Sequence, residues 1–116
     1  MKKLLYSFGY ALEGIVCFFK TERNALIHLC ALIMVVILGF VLSLNKTDWL
    51  WILLAIALVI ISEMANTAIE KICDKISPER DADIKVIKDI SAGFVLVAAI
   101  FALLVGAIIF TPYLLL

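Results

Sequence analysis

The run ISAGFVLVAAIFALLVGAIIF at residues 90–110 decides the fold, because it contains no charged side chain. A helix needs about 20 consecutive apolar residues to cross the hydrocarbon core of a bilayer, and this run is long enough. It also lacks the alternation of apolar and polar residues that a strand of a membrane β-barrel requires. The run therefore predicts a transmembrane α-helix.

Two further apolar runs precede this one. Residues 25–44, ALIHLCALIMVVILGFVLSL, are interrupted only by His28 and Ser43, and residues 49–68 begin with WLWILLAIALVII. Each is close to the length that a single crossing needs. The chain is therefore predicted to be an all-α integral membrane protein with transmembrane spans at 25–44, 49–68 and 90–110.

Residues 1–20 have a different pattern. Their apolar side chains recur at helical spacing and are interspersed with charged ones. Such a helix lies in the interface of a membrane rather than across it. We predict an amphipathic surface helix at 1–20, and a frayed terminus is the alternative. The apolar positions are Leu4, Leu5, Phe8, Leu12, Ile15, Val16 and Phe19.

Polar residues and prolines between the runs predict where the helices begin and end. Thr21 is a candidate cap for the helix that follows it, and the segment 45–48 is predicted to be a short turn. Proline disfavours helical geometry in the residue before it, so Pro78 should mark the end of the second long helix. We expect a polar loop at 77–83, and Pro112 should close the third span.

The composition supports a membrane protein. Of the 116 residues, 66% are hydrophobic and 17% are charged, and the formal net charge is zero. Soluble domains are about 45–50% apolar and about 25% charged. These values exclude a disordered chain, a nucleic-acid binder with a basic surface and most soluble enzymes. The length allows one domain, a single membrane domain at 1–116.

The charged side chains collect on one side of the predicted membrane. Three spans place the N-terminus and the segment 71–88 on the same side, which holds all the Lys and Arg residues except Lys46. Basic residues favour the cytoplasmic side, so the N-terminus is predicted to be cytoplasmic and the C-terminus to lie outside. The acidic residues, except Asp48, also lie on the cytoplasmic side, which this rule does not require. These carboxylates are therefore candidates for a functional site.

Four polar side chains share one face of the second long helix. Glu63, Asn66, Glu70 and Asp74 are separated by three, four and four residues, close to the 3.6 residues of a helical turn. Counting about 20 residues from the start of the span places Glu63 and Asn66 just inside the hydrocarbon. A carboxylate there is costly and indicates a function. A polar stripe that only joins neighbouring helices is the alternative.

Further polar groups are predicted at the same depth. Glu22 and Asn24 stand where the first span begins, and Lys88 and Asp89 stand where the third begins. Mg²⁺ usually takes one or two carboxylates plus substrate phosphates, and a lysine neutralises phosphate charge. This collection therefore suits Mg²⁺ and a polyphosphate. His28 either contacts a substrate headgroup or is simply hydrogen-bonded at the interface.

One segment carries a resemblance to a known family. Residues 63–70, EMANTAIE, are followed by Asp74 and by the pair KD at 88–89. This pattern resembles the signature of the small prokaryotic diacylglycerol kinase family, and the resemblance covers nearly the whole chain. The segment 21–24, TERN, and His28 are similar to the Gram-positive branch of undecaprenol kinases. Ala92 stands where the diacylglycerol branch has a serine.

The resemblance implies a homotrimer whose active sites are shared between neighbouring chains at the cytoplasmic interface. It implies that Glu63 is the general base for a lipid hydroxyl and that Asn66 orients it. Glu22 and Glu70 are the implied metal ligands. The ATP-binding candidates are Lys3, Tyr10, Glu22, Glu70, Glu79, Lys88 and Asp89. The candidates for contact with the lipid substrate are Glu63, Asn24 and His28.

We therefore expect a lipid kinase that depends on ATP and Mg²⁺ and phosphorylates undecaprenol at the cytoplasmic face of a bacterial cell membrane. Diacylglycerol is the alternative substrate. A small transporter or a non-catalytic membrane protein is the alternative from another class. A proton-coupled transporter would be expected to place its acid near the middle of the bilayer, whereas these acids gather at one face. No nucleic-acid partner is expected.

Overall fold

The structure is a computed structural model that describes residues 1–77 and 81–115. These residues contain no strand, which confirms the prediction of an all-helical chain. The regular elements are the helices α1 (Lys2–Thr21), α2 (Arg23–Val41), α3 (Lys46–Ile76) and α4 (Ala82–Leu114).

Three of the helices, α2, α3 and α4, are long and apolar enough to cross a membrane. This finding agrees with the predicted number of spans. The predicted spans 49–68 and 90–110 lie within α3 and α4, whereas the predicted span 25–44 continues beyond the end of α2 at Val41. With 31 and 33 residues, α3 and α4 are longer than one crossing needs. Most of the excess lies next to the connection 77–81.

The chain divides into two units, Met1–Val35 and Val36–Leu116, which are described separately. The first unit holds α1 and the beginning of α2. Phe18 and Ala25 are its buried apolar residues. The backbone of Glu22 is extended, and its N–H donates to the carbonyl of Phe18 at 3.0 Å. Glu22 therefore ends α1 and leaves α2 to begin at the next residue.

The prediction that Thr21 caps the next helix is wrong. Thr21 is the last residue of α1, and its hydroxyl donates to the carbonyl of Cys17 at 2.7 Å. A threonine inside a helix commonly donates to the carbonyl one turn earlier. The hydroxyl is therefore engaged by α1 and does not cap α2.

In the second unit, α2 and α3 approach each other closely where Gly39 faces Trp49. A Cβ atom on Gly39 would lie 2.6 Å from Cη2 of the indole ring, closer than carbon atoms pack. The ring of Phe40 lies beside the indole, with 4.9 Å between the centroids. Between the two helices, Ser43 has a φ of 56°, in the left-handed region. The absence of a side chain at Gly39 therefore makes room for the indole.

Asn45 is the N-cap of α3. Its side-chain oxygen accepts the N–H of Asp48 at 2.8 Å, which satisfies one of the free donors of the first helical turn. The predicted turn at 45–48 is wrong in extent, because residues 46–48 already belong to the helix.

The end of α3 is where the sequence predicts it. The helix stops at Ile76, and the N–H of Ser77 donates to the carbonyl of Cys73 at 2.9 Å. The backbone of Ser77 is extended, as expected for a residue that precedes proline.

Asp81 caps α4. Its carboxylate accepts the N–H groups of Asp83, at 2.8 Å, and of Ile84, at 3.2 Å. The helix therefore begins at Ala82, and the connection is shorter than the predicted loop 77–83.

The prediction that Pro112 closes the third span is wrong, because α4 continues through Pro112 to Leu114. Proline lacks an N–H and forfeits one helical hydrogen bond, and the cost is largest in the middle of a helix. Here only the last turn is affected. The N–H of Leu115 still donates to the carbonyl of Thr111 at 3.1 Å.

The helices α3 and α4 pack against each other as an antiparallel hairpin. Near the connection Lys88 pairs with Asp74, and at the far end the hydroxyl of Tyr113 donates to Asp48 at 3.5 Å. Small side chains on the packed faces let the two helices approach closely. The buried residues of α4 are Ser91, Ala98, Val105 and Ile109, and those of α3 are Ile52, Ala55, Glu63 and Cys73.

Candidate active site

Among the residues that the structure describes, Glu63 is the one charged residue that is buried, with 8% of its surface exposed. It lies on α3, inside the predicted span 49–68. The residue takes part in an interaction within the chain. A buried carboxylate in an apolar helix is costly to maintain, which makes Glu63 a candidate for a chemical role.

Exposure rises along the same face of α3 from Glu63 towards the connection. Asn66 is half-buried, and Glu70 and Asp74 are exposed. The amide nitrogen of Asn66 donates to Oε1 of Glu70 at 3.3 Å. This contact confirms that the two residues share a face, as their spacing predicts. The face therefore runs from a buried carboxylate to exposed ones.

Ser91 completes the polar contacts on the α4 side. It is 1% exposed, and its hydroxyl donates a hydrogen bond to Oδ1 of Asn66 across the helix interface. No motif or spacing in the sequence singles out Ser91. Its position is the one feature that could have indicated it. Ser91 lies three residues after Lys88, so it is predicted at nearly the same depth in the membrane.

Lys88 and Asp89, which are expected to act together on a nucleotide, have separate partners. Lys88 donates to Asp74 of α3 at 2.7 Å, whereas Asp89 accepts from Lys85 of its own helix at 2.7 Å. Lys88 lies ahead of the predicted span 90–110, and the hydrogen bond from its ammonium to Asp74 raises its pKa above the usual value. The ammonium is therefore held charged at the exposed end of the polar face.

The remaining predicted site residues belong to the first unit. Lys3 and Tyr10 are exposed on α1, and Glu22 is half-buried between α1 and α2. Asn24 is exposed and His28 is half-buried in the first turns of α2. That these residues act together with those of the second unit stays a prediction. Glu79, an ATP-binding candidate, lies outside the described residues.

The residues of the hairpin fit a magnesium ion that arrives with phosphate groups. Among residues 1–77 and 81–115, no group of three or more His, Cys, Asp or Glu side chains is arranged to hold a metal ion. The exposed carboxylate of Glu70 nevertheless supplies oxygen donors, which Mg²⁺ prefers, whereas Asp74 is paired with Lys88. Mg²⁺ usually needs only one or two carboxylates when substrate phosphates and water complete its coordination.

Comparisons with known proteins agree with these features. The family model for prokaryotic diacylglycerol kinase matches residues 9–110. An undecaprenol kinase of Bacillus subtilis (strain 168) is 36% identical over 112 residues, which cover 97% of this chain and 91% of that protein. A diacylglycerol kinase of Synechocystis sp. (strain ATCC 27184 / PCC 6803 / Kazusa) is 37% identical over 113 residues, which cover 97% of this chain and 65% of that protein. Because the family model spans most of the sequence and both relatives align along almost all of it, the chain belongs to the prokaryotic diacylglycerol kinase family.

Proposed function

We propose that this protein is a lipid kinase that transfers the γ-phosphate of ATP to the hydroxyl of undecaprenol. The observation that carries the proposal is the polar face of the α3–α4 hairpin. It places a buried carboxylate, Glu63, one helical turn from the Asn66–Glu70 pair and on the helix that binds Lys88. A lipid hydroxyl at the membrane interface and a nucleotide in water would meet along such a face.

In this mechanism Glu63 is the general base. Its carboxylate accepts the proton of the lipid hydroxyl as the hydroxyl oxygen attacks the γ-phosphorus of ATP. The new bond joins that oxygen to phosphorus, the bond to the β-phosphate oxygen breaks, and ADP leaves with the electron pair. Asn66 keeps Glu63 and the lipid hydroxyl in line, and the ammonium of Lys88 binds the charged phosphates.

Glu70, together with Glu22 of the first unit, would hold Mg²⁺. When bound there, the ion would neutralise the charge of the phosphate oxygens. The remaining predicted nucleotide contacts are Lys3, Tyr10, Glu79 and Asp89, and Asn24 and His28 are proposed to face the lipid.

One feature supports undecaprenol as the lipid, since the identities to the two relatives, 36% and 37%, do not separate their substrates. Ala92 stands where the diacylglycerol branch has a serine. A methyl group there cannot donate a hydrogen bond to a second polar group of the lipid. Diacylglycerol is the alternative substrate.

A side-by-side assay tests the proposal. Purified protein is given radiolabelled ATP with undecaprenol or with diacylglycerol in identical mixed micelles, with and without Mg²⁺. We expect phosphorylation of undecaprenol at the higher kcat/KM and no transfer when Mg²⁺ is omitted. A higher kcat/KM for diacylglycerol would overturn the substrate assignment. Transfer to neither lipid would overturn the kinase assignment and favour a transporter or a non-catalytic membrane protein.

We also propose that the protein lies in the bacterial cell membrane with its N-terminus in the cytoplasm and its C-terminus outside. The basis is the charge distribution, since Lys46 is the basic residue left on the other side of the three spans. This orientation supplies the site with cytoplasmic ATP.

A further inference from the structure

The hydroxyl of Ser91 has an unusual hydrogen-bond acceptor for a serine inside a helix. It lies 3.3 Å from the carbonyl of Lys88 in its own helix, and it also reaches Oδ1 of Asn66 on α3. A hydroxyl has one proton to donate, so it serves one of these two acceptors at a time. A serine inside a helix ordinarily donates to the carbonyl three or four residues earlier, as Ser62 does with Val59 at 2.9 Å. The closer acceptor of Ser91 is the side chain of Asn66.

The partners of Asn66 fix which end of its amide faces each neighbour. An ionised carboxylate only accepts hydrogen bonds, so Glu70 must face the NH₂ group of Asn66. The amide oxygen then points to α4, where the Ser91 hydroxyl donates to it. With the amide rotated by half a turn, its NH₂ group would face Ser91 and two acceptor oxygens would oppose each other at Glu70. The Ser91 hydroxyl therefore stabilises the orientation that directs the NH₂ group towards Glu70.

Because Ser91 is buried, its hydrogen bond to Asn66 is sensitive to substitution. Ser91 is 1% exposed, so water does not replace its hydroxyl when the side chain is shortened. Removal of the hydroxyl would leave Oδ1 of the half-buried Asn66 without this donor. The weaker contact with Glu70, at 3.3 Å, would then be the remaining one of the two that orient the amide.

We propose that Ser91 is a positioning residue, which acts through the amide of Asn66 and sets the direction in which that amide donates towards Glu70. This inference rests on the proposed function for its kinetic consequence. Ser91 touches neither lipid nor nucleotide in the mechanism above. Its effect reaches the reaction through Asn66 and through the metal ligand Glu70.

A double-mutant cycle tests the inference. We expect Ser91→Ala to lower kcat about tenfold, the effect of one lost hydrogen bond, and to raise the Mg²⁺ concentration needed for half-maximal activity. In an Asn66→Ala background the same substitution should have no further effect, because the amide through which it acts is gone. Ser62→Ala is the matched control, since it removes a hydroxyl that bonds to its own helix, and it should leave kcat and the Mg²⁺ titration unchanged. An equal loss from Ser91→Ala in both backgrounds would overturn the proposal.

A second measurement is independent of activity. The side-chain amide of Asn66 can be observed by NMR in protein labelled with ¹⁵N-asparagine and assigned by its disappearance in Asn66→Asp. We expect Ser91→Ala to shift this NH₂ signal and to speed its exchange with water, while the signals of Asn24 and Asn45 stay in place. An unchanged Asn66 signal would overturn the positioning role even if the protein proves to be a kinase. A shifted signal in a protein that phosphorylates neither lipid would support the contact and overturn the proposed function alone.

Discussion

Glu63 and Lys88 represent the two ends of the proposed site. Glu63 is buried on α3, and Lys88 is partly exposed on α4. In the proposed mechanism the carboxylate would meet a lipid hydroxyl and the ammonium would meet phosphate. Their position on one packed hairpin would give the acceptor and the donor of the phosphoryl group separate sites at different depths.

Substitution of Glu63 tests the base directly. Glu63→Gln keeps the shape of the side chain and removes its ability to accept a proton, so we expect kcat to fall by about 10²- to 10⁴-fold. Lipid phosphorylation measures this change, and gel filtration in detergent verifies that the assembly is intact. The control is Glu13→Gln on the exposed surface of α1, which should keep full activity. Near-normal turnover by Glu63→Gln would exclude Glu63 as the base.

Substitution of Lys88 tests the phosphate contact. We expect Lys88→Met to raise the KM for ATP about tenfold or more, because a charged donor to phosphate is lost. Lys85→Met removes an ammonium that pairs within its own helix, and it should change this KM far less. Equal effects of the two substitutions would indicate a general charge effect and contradict a specific contact.

The same pair of variants gives a pH test. The hydrogen bond to Asp74 raises the pKa of Lys88, so its charge is fully present below the usual value of 10.5 and is lost only as the pH rises above it. The ratio of KM values between Lys88→Met and the unchanged chain should therefore be constant from about pH 6 to pH 9. A ratio that falls towards one within this range would mean that Lys88 loses its proton there.

Sequence patterns predict the polar face of α3 but not its partner on α4. The face follows from helical spacing alone, and the hydrogen bond between Asn66 and Glu70 confirms it. Ser91 is different, because its pairing with Asn66 depends on the register of the hairpin. The predicted loop 77–83 is two residues longer than the observed connection, and two residues turn a helix by about 200°. A single serine in an apolar run therefore could not be assigned to a partner.

Among the elements, the contact between α2 and α3 depends on one glycine. We expect Gly39→Ala to destabilise the protein by about 1–3 kcal/mol, because its methyl group would overlap the indole of Trp49. Thermal unfolding in detergent measures the change. Gly106→Ala on α4 is the control, since a Cβ there meets no described atom within 4 Å apart from its chain neighbours and the backbone of its own helix.

A second variant separates steric overlap from other effects of the alanine. In a Trp49→Leu background the ring is absent, and Gly39→Ala should then cost much less. An undiminished cost in that background would show that the indole is not the cause.

Helix boundaries were predictable where a local signal dominates. Pro78 marks the end of α3 because it acts on the residue before it, and the backbone of Ser77 is extended. Pro112 was expected to end α4 for the same reason, yet the helix continues to Leu114. The difference lies in the neighbouring contacts, since Tyr113 reaches Asp48 of α3 and holds the last turn against the hairpin.

At the scale of the whole molecule, the family resemblance implies a homotrimer with active sites shared between neighbouring chains. Glu22 belongs to the first unit and Glu63 to the second. We propose that these two residues reach one site from different chains. A symmetric ring can supply them in this way at each of its interfaces.

Mixing two inactive variants tests this arrangement. Glu22→Gln and Glu63→Gln are unfolded, combined in equal amounts and refolded together in detergent. If each site takes the two residues from different chains, random mixing restores about one site in four. The control is each variant refolded alone, which should stay inactive. A mixture without activity would show that Glu22 and Glu63 act within one chain.

The length of α3 has a consequence for the choice of membrane. Its 31 residues, at about 1.5 Å each, make a rod of about 46 Å, whereas the hydrocarbon of a typical bilayer is about 30 Å thick. The thickness of the bilayer therefore determines which carboxylates lie in the hydrocarbon core and which lie in water. Longer acyl chains would submerge Glu70, and shorter ones would lift Glu63 into water, each at a cost from hydrophobic mismatch. Reconstitution in lipids of graded chain length should show turnover rising to a maximum and falling again. The thickness of the membrane would then set the depth at which the proposed proton and phosphoryl transfers occur.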